Sequence, residues 1–144
     1  RNDGELVAYM RDNGPPPYRH PMSFSNDKGQ SWSPVQDSEL LNPGSGSDAV
    51  TLSNGHWIIA YNDTEGGRHS LAVSLSLDEG KTWPFTRHIL LSKDIQKAAS
   101  GAYPAIIQDT SGKIHITYSY RPAQSSEETI KYFQFDESWI RAKE

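Results

Sequence analysis

The chain has 144 residues, a formal net charge of −4 and no cysteine, which excludes a disulfide framework and a thiolate zinc site and argues against a nucleic-acid surface. No apolar run approaches the roughly 20 residues that a membrane-spanning helix needs, and the five histidines show no His-x-x-x-His spacing of the helical zinc kind. No metal and no cofactor is expected, although local basic clusters leave room for an anionic small molecule. Eleven glycines and nine prolines punctuate the chain too often for long helices, so the expected class is all-β.

In chain order, the first predicted strand opens at Gly4 and runs through Glu5-Leu6-Val7-Ala8-Tyr9-Met10-Arg11. Pro15-Pro16-Pro17 then reads as an extended surface loop. The pattern Ser-x-Asp-x-Gly-x-[Ser/Thr]-Trp follows at Ser25 to Trp32. A second strand of the first type opens at Gly55 as His56-Trp57-Ile58-Ile59-Ala60-Tyr61-Asn62, and the eight-residue pattern returns at Ser76 to Trp83, 51 residues after its first appearance. Leu91 to Ala99 has room for a turn or two of helix. The stretch Gly101 to Ile107 is apolar, and a third strand of the first type opens at Gly112 with Lys113-Ile114-His115-Ile116-Thr117-Tyr118-Ser119. These strands are rich in β-branched and aromatic residues. The second and third each follow an apolar run across a turn, Ser53-Asn54-Gly55 and Asp109 to Gly112, which predicts hairpins.

The eight-residue pattern has turn chemistry. Asp27 and Asp78 can accept hydrogen bonds from backbone N–H groups just downstream. Gly29 and Gly80 allow a positive φ, and Trp32 and Trp83 are expected to bury their rings between neighbouring strands. No catalysis is expected of either aspartate. A fixed period of about 50 residues with glycine and tryptophan at matched offsets marks a repeated small sheet, as in β-propellers. Three units are expected, roughly 1–41, 42–95 and 96–144. Propellers close with typically 4 to 8 blades, so the chain, which starts at Arg1 directly before a repeat strand, reads as cut from something longer. Self-association, or pairing with the rest of a ring, is the expected way to cover the cut faces.

The paired patterns resemble the Asp boxes, or bacterial neuraminidase repeats, of the sialidase family, and the resemblance covers nearly the whole chain. It implies a six-bladed β-propeller of which about three blades, the C-terminal half, are present. The strand ending at Arg11 is similar to the one that carries the second arginine of the family's three-arginine cluster. Arg68, after Ala60-Tyr61-Asn62 and before the second box, matches the setting of the third. Gly101-Ala102-Tyr103-Pro104-Ala105-Ile106-Ile107 resembles the segment holding the nucleophilic tyrosine, which makes Tyr103 the candidate nucleophile. Pro104 stands where the family usually has serine, and Tyr118-Ser119-Tyr120-Arg121 replaces its more common acidic strand end. A broader group of neuraminidase-repeat proteins keeps sequences similar to Asn42-Pro43-Gly44-Ser45-Gly46-Ser47-Asp48-Ala49 and Tyr103-Pro104.

The chemistry suits the residue types. A planar guanidinium donates two parallel hydrogen bonds to a carboxylate and keeps its charge. A neutral phenol avoids the repulsion that a carboxylate nucleophile meets against an acidic sugar, and sialidases depart from two-carboxylate glycoside hydrolysis in this way. A phenol with pKa near 10 also needs activation. The resemblance implies a glutamate base and an aspartate acid upstream of residue 1. Asn62 and Asp48 are further candidates, as ligands of sugar hydroxyls on the same face, and Arg19-His20 and Arg121 are weaker ones. The first reading is an exo-α-sialidase-like hydrolase fragment acting on or binding sialic acid, a sialylated glycan or a related acidic sugar. The alternatives are a non-catalytic segment that binds glycan or protein and an enzyme acting on a different acidic glycan. Export from the cytoplasm is expected only because sialidases are often exported.

Overall fold

The computed structural model describes residues 1–92 and 94–142. It forms three antiparallel sheets: β1 (Leu6–Tyr9), β2 (Arg19–Ser25) and β3 (Gln36–Leu41); then β4 (Asp48–Thr51), β5 (Trp57–Tyr61), β6 (Ser70–Ser76) and β7 (Phe85–Leu91); then β8 (Ser100–Gln108), β9 (Ile114–Arg121) and β10 (Thr129–Phe135). Neighbours in sequence are neighbours in each sheet, so every connection is a hairpin or a short loop. This is the meander of propeller blades.

The hairpins close as the turn residues dictate. Gly55 donates its backbone N–H to Leu52 O and Gly112 donates to Asp109 O. Both glycines hold φ at +86°, a conformation that a Cβ would strain. In the Asp boxes, Asp27 accepts from Ser31 N and Ser31 Oγ at 2.8 and 2.6 Å, and Asp78 accepts from Thr82 N and Thr82 Oγ1 at the same distances. Each opening serine completes the ring, with Ser25 and Ser76 donating to their aspartates and accepting from Gly29 N and Gly80 N. Both carboxyls lie at about 2. For Asp27 the Ser31 hydroxyl is the largest cause; for Asp78 burial pushes upward, but hydrogen bonds from Thr82 and Ser76 outweigh it.

The middle sheet shows how the blades pack. Every residue of β6 is buried, and its alternating side chains serve both neighbours. Val73 and Leu75, with Ile58 and Ala60 of β5, meet Ile106, Ile114, Ile116 and Phe135 of the third sheet. Ala72, with Ile59 and Tyr61, meets Leu40 of β3, with Tyr9 of β1 packed alongside. Each fully buried aliphatic side chain contributes about 1.5–3 kcal/mol, so the middle sheet binds the other two. The outer faces remain open, with Val35 on one side and Ile107, Ile130 and Tyr132 on the other all more than half exposed.

Two features differ from expectation. Trp32 is 45 % exposed; its indole N–H reaches Gly29 O at 3.2 Å, but the ring is not sandwiched between strands. Trp83 does meet a neighbour, edge-on to Tyr9 at 6.1 Å between centroids. The same motif therefore buries its tryptophan only where another blade stands against it. The second difference follows β10, where the chain forms α1 (Glu137–Arg141), a short helix capped by Asp136, which accepts from Trp139 N at 3.1 Å. Ile140 inserts into the core between the second and third sheets. The stretch from Leu91 to Ala99 holds one 3₁₀ turn, Ile95–Lys97, capped by Asp94. Lys93, within that stretch, lies outside the described residues.

Candidate active site

Three of the residues singled out from the sequence converge at one end of the sheets. Arg11 lies just past β1, Arg68 just before β6, and Tyr103 within β8. Arg68 Nη2 donates to Tyr103 Oη at 2.9 Å, and its guanidinium carbon lies 4.6 Å from the centre of the Tyr103 ring. The Arg68 hydrogen bond and charge pull the Tyr103 phenol below its ordinary pKa, and Arg11 adds a smaller pull of the same sign. Both arginines thus favour the phenolate, the more nucleophilic form of a phenol.

The backbone presents this phenol deliberately. Tyr103 holds φ at +51°, uncommon for a residue with a Cβ and costly for a bulky one. It sits at a break in the β8–β9 register between Ala102 and Ala105. An extra residue at such a bulge re-aims a side chain, and here the ring stands 52 % exposed between two buried neighbours, Ala102 and Pro104. Gly46 makes the space, since a Cβ there would lie 3.1 Å from Tyr103 Cδ1.

Beneath the site lies a buried polar network. Asn62 Nδ2 donates to Ser70 O at 2.7 Å and to Gly101 O at 2.8 Å, while its Oδ1 accepts from Ser45 Oγ at 2.6 Å. Asn42 Oδ1 accepts from the backbone N–H groups of Gly44, Ser45 and Asp12, which fixes the 42–48 loop beside Arg11. His20 is fully buried, and burial lowers its pKa. A neutral ring with the proton on Nδ1 satisfies both neighbours, Nδ1–H donating to Met10 O and Nε2 accepting from Asn42 Nδ2, each at 3.1 Å. Side chains of the first two sheets and their loops, with the Gly101 carbonyl of the third, therefore lock the floor together.

This changes the place of two candidates. Asn62 is fully buried and its amide is wholly engaged, so it braces the site from below and touches no solvent-borne sugar. Asp48 Oδ2 accepts from Ile106 N at 2.9 Å and Oδ1 from Ala49 N at 3.0 Å, which ties β4 to β8. Arg19 pairs with Glu65 at 2.9 Å. Asn42, Ser45 and Gly46 are the members of the site that residue-by-residue reasoning did not single out. Their signal was the loop Asn42 to Ala49, rich in small residues between two strands. Among the described residues no group of three or more His, Asp or Glu side chains is placed to hold a metal ion, and no helix is long and apolar enough to cross a membrane.

Meander sheets packed face to face and closed by Asp boxes define a partial β-propeller of the neuraminidase-repeat type. The chain belongs to the BNR repeat-like domain family, whose model matches residues 1–116. No curated protein matches the sequence. Among solved structures it is similar to a Hadza microbial sialidase, at 21 % identity over 95 % of this chain and 26 % of that one, with a TM-score of 0.70. It is also similar to a Penicillium chrysogenum α-L-arabinanase complexed with arabinobiose, at 20 % identity over 93 % of this chain and 43 % of that one, TM-score 0.69. A third is a polysaccharide lyase, an ulvan lyase bound to -[GlcA(1-4)Rha3S]-, at 16 % identity over 96 % of this chain and 37 % of that one, TM-score 0.68. The chain thus spans less than half the length of each, and the likeness is one of fold.

Proposed function

We propose that this chain carries the carboxylate-binding and nucleophilic half of an acidic-sugar site in a sialidase-like glycoside hydrolase. The observation that carries the reading is the Arg68–Tyr103 pair, a phenol aimed outward by a positive φ and polarised by a guanidinium at 2.9 Å. In this reading Arg11 and Arg68 hold the sugar's carboxylate, with Arg68 touching both carboxylate and phenol. Tyr103 Oη attacks the anomeric carbon, the bond to the leaving oxygen breaks, and a tyrosyl-linked sugar forms that water later cleaves with retention. The phenol proton passes to a base and the leaving oxygen takes a proton from an acid. The family match and the sialidase among similar structures support the class. The ulvan lyase, bound to a glycan of glucuronic acid and sulfated rhamnose, supports widening the substrate to acidic glycans as a group, whereas the arabinanase, with neutral arabinobiose, supports only action on glycans.

In the whole protein, Tyr103→Phe is expected to abolish turnover of a sialoside or uronide substrate while leaving its binding within about twofold, because the substitution removes one oxygen and no packing surface. Unchanged turnover would sink the proposal. A second reading, a glycan-binding segment without catalysis, is favoured by one observation: among the described residues Tyr103 Oη has arginine partners and no carboxylate to take its proton. That reading predicts binding without turnover in both forms.

A further inference from the structure

Next to the Arg68–Tyr103 pair lies a cleft of about 390 Å³, walled by Gly67, Arg68, His69, Ser100 and Arg121 and by the 3₁₀ segment, within the range of small-ligand sites. Among the described residues, two arginines line it and no carboxylate does. Arg121 is exposed at the end of β9, opposite Ser100 in register, while Arg68 O accepts from Gly101 N at 2.9 Å. Adjacent residues of β8 thus bring both cations to one opening. The Arg121 side chain has no hydrogen bond or ion pair with any described residue. Arg68 uses Nη2 on Tyr103, which leaves most of its five donors free.

An exposed arginine is ordinary by itself; the buried atoms beside it are not. Among the described residues, two buried side-chain polar atoms lack any partner, and they belong to consecutive residues, His69 Nδ1 and Ser70 Oγ. Buried polar atoms are rarely left unpaired, and an exception asks for a missing ligand or water. A Cβ on Gly67 would stand 3.3 Å from His69 Nδ1, so the glycine leaves the ring without a covering side chain on that side, although the nitrogen itself is buried. Two cations with no carboxylate beside them meet at one cleft with an orphaned ring nitrogen, which donates in one of its two tautomers.

We infer that this cleft is a second anion subsite, in which Arg121, Arg68 and His69 hold a carboxylate or sulfate ester on the sugar flanking the one at Tyr103. The inference rests on the acidic-sugar reading above and narrows it to glycans with two neighbouring negative groups. Arg121 then selects substrate and takes no part in bond breaking.

The test is titration of the chain at constant ionic strength with inorganic sulfate, with propionate and with chloride, following the Arg121 Nε–H and His69 ring resonances. Saturable shifts at both residues with sulfate or propionate, but not with chloride, are expected, and the tighter of the two identifies the group. Arg121→Ala should weaken the response at His69 about tenfold, the size of a lost charge-assisted contact, and Arg121→Lys should restore part of it. Responses equal to those of chloride, or unaltered by Arg121→Ala, would overturn the inference. A parallel titration with the unsaturated sialic acid analogue, read at Tyr103, separates the two ideas: its failure alone counts against the proposed function, whereas failure of sulfate and propionate alone counts against the second subsite.

Discussion

The two Asp boxes share, atom for atom, the hydrogen bonds among their opening serine, aspartate, glycine and Ser/Thr, and have the same depressed aspartates, yet they sit in different surroundings. The box at Ser25 to Trp32 lies at an open edge, with Trp32 45 % exposed. The box at Ser76 to Trp83 lies against the first sheet: Tyr9 Oη donates to Gly80 O at 3.1 Å, Trp83 meets the Tyr9 ring, and Glu39 accepts from Trp83 N at 2.8 Å. The contrast separates two properties of one motif. Its turn is autonomous, fixed by eight consecutive residues, whereas its tryptophan is a docking element that acts only when a neighbouring blade is present.

The glycines differ too, chiefly within their own sheets, where Trp57 of β5 stands beside Gly80 and Leu6 of β1 beside Gly29. A Cβ on Gly80 would lie 2.8 Å from two Trp57 ring carbons, but one on Gly29 meets nothing closer than 3.7 Å, and both glycines hold positive φ. Gly80→Ala should therefore cost about 3 kcal/mol or more, combining backbone strain with a forced shift of a packed ring, against about 1–2 kcal/mol for Gly29→Ala. Urea unfolding of the two variants checks this, and equal losses would break the comparison. Next in size, Trp83→Ala should destabilise by about 2 kcal/mol and Trp32→Ala by less than about 1 kcal/mol, read from the same transitions.

The smallest effect is one in which the boxes should agree. Both aspartates have folded values near 2, below the ordinary value of about 3.9. A depressed carboxylate contributes stability that is fully present above its unfolded pKa and is lost as pH falls through the folded one. Asp27→Asn and Asp78→Asn should each remove part of the stability lost between about pH 4 and pH 2, and to a similar extent. Unfolding midpoints measured across that window would show a mismatch directly.

Much of the fold was legible because its determinants are local. Asx chemistry at Asp27, Asp78 and Asp109, and positive φ at Gly55 and Gly112, are properties of a few consecutive residues. The helix α1 was missed because its signal, the Asp136 cap, occupies only five helical residues and its stability comes from Ile140 and Trp139 packing against distant strands. At the site, Arg11, Arg68 and Tyr103 were legible through family resemblance and do come together. The floor was not legible. Asn42, Ser45, Asn62 and His20 are joined by contacts across as many as 39 residues of sequence, from Asn62 to Gly101, and no local rule distinguishes a buried strut from a sugar ligand. Nor did sequence indicate the bulge that turns Tyr103 outward, since Pro104 and its apolar neighbours read as an ordinary strand.

The most direct test of the central claim is calorimetric binding of the unsaturated sialic acid analogue, whose flattened ring carries the carboxylate, to this chain and to Arg68→Ala, with circular dichroism on both. The account predicts measurable binding to the unaltered chain and at least about a tenfold loss with Arg68→Ala, since a charge-assisted bidentate contact contributes about 1.5–3 kcal/mol. Equal affinity in two equally folded proteins would contradict it.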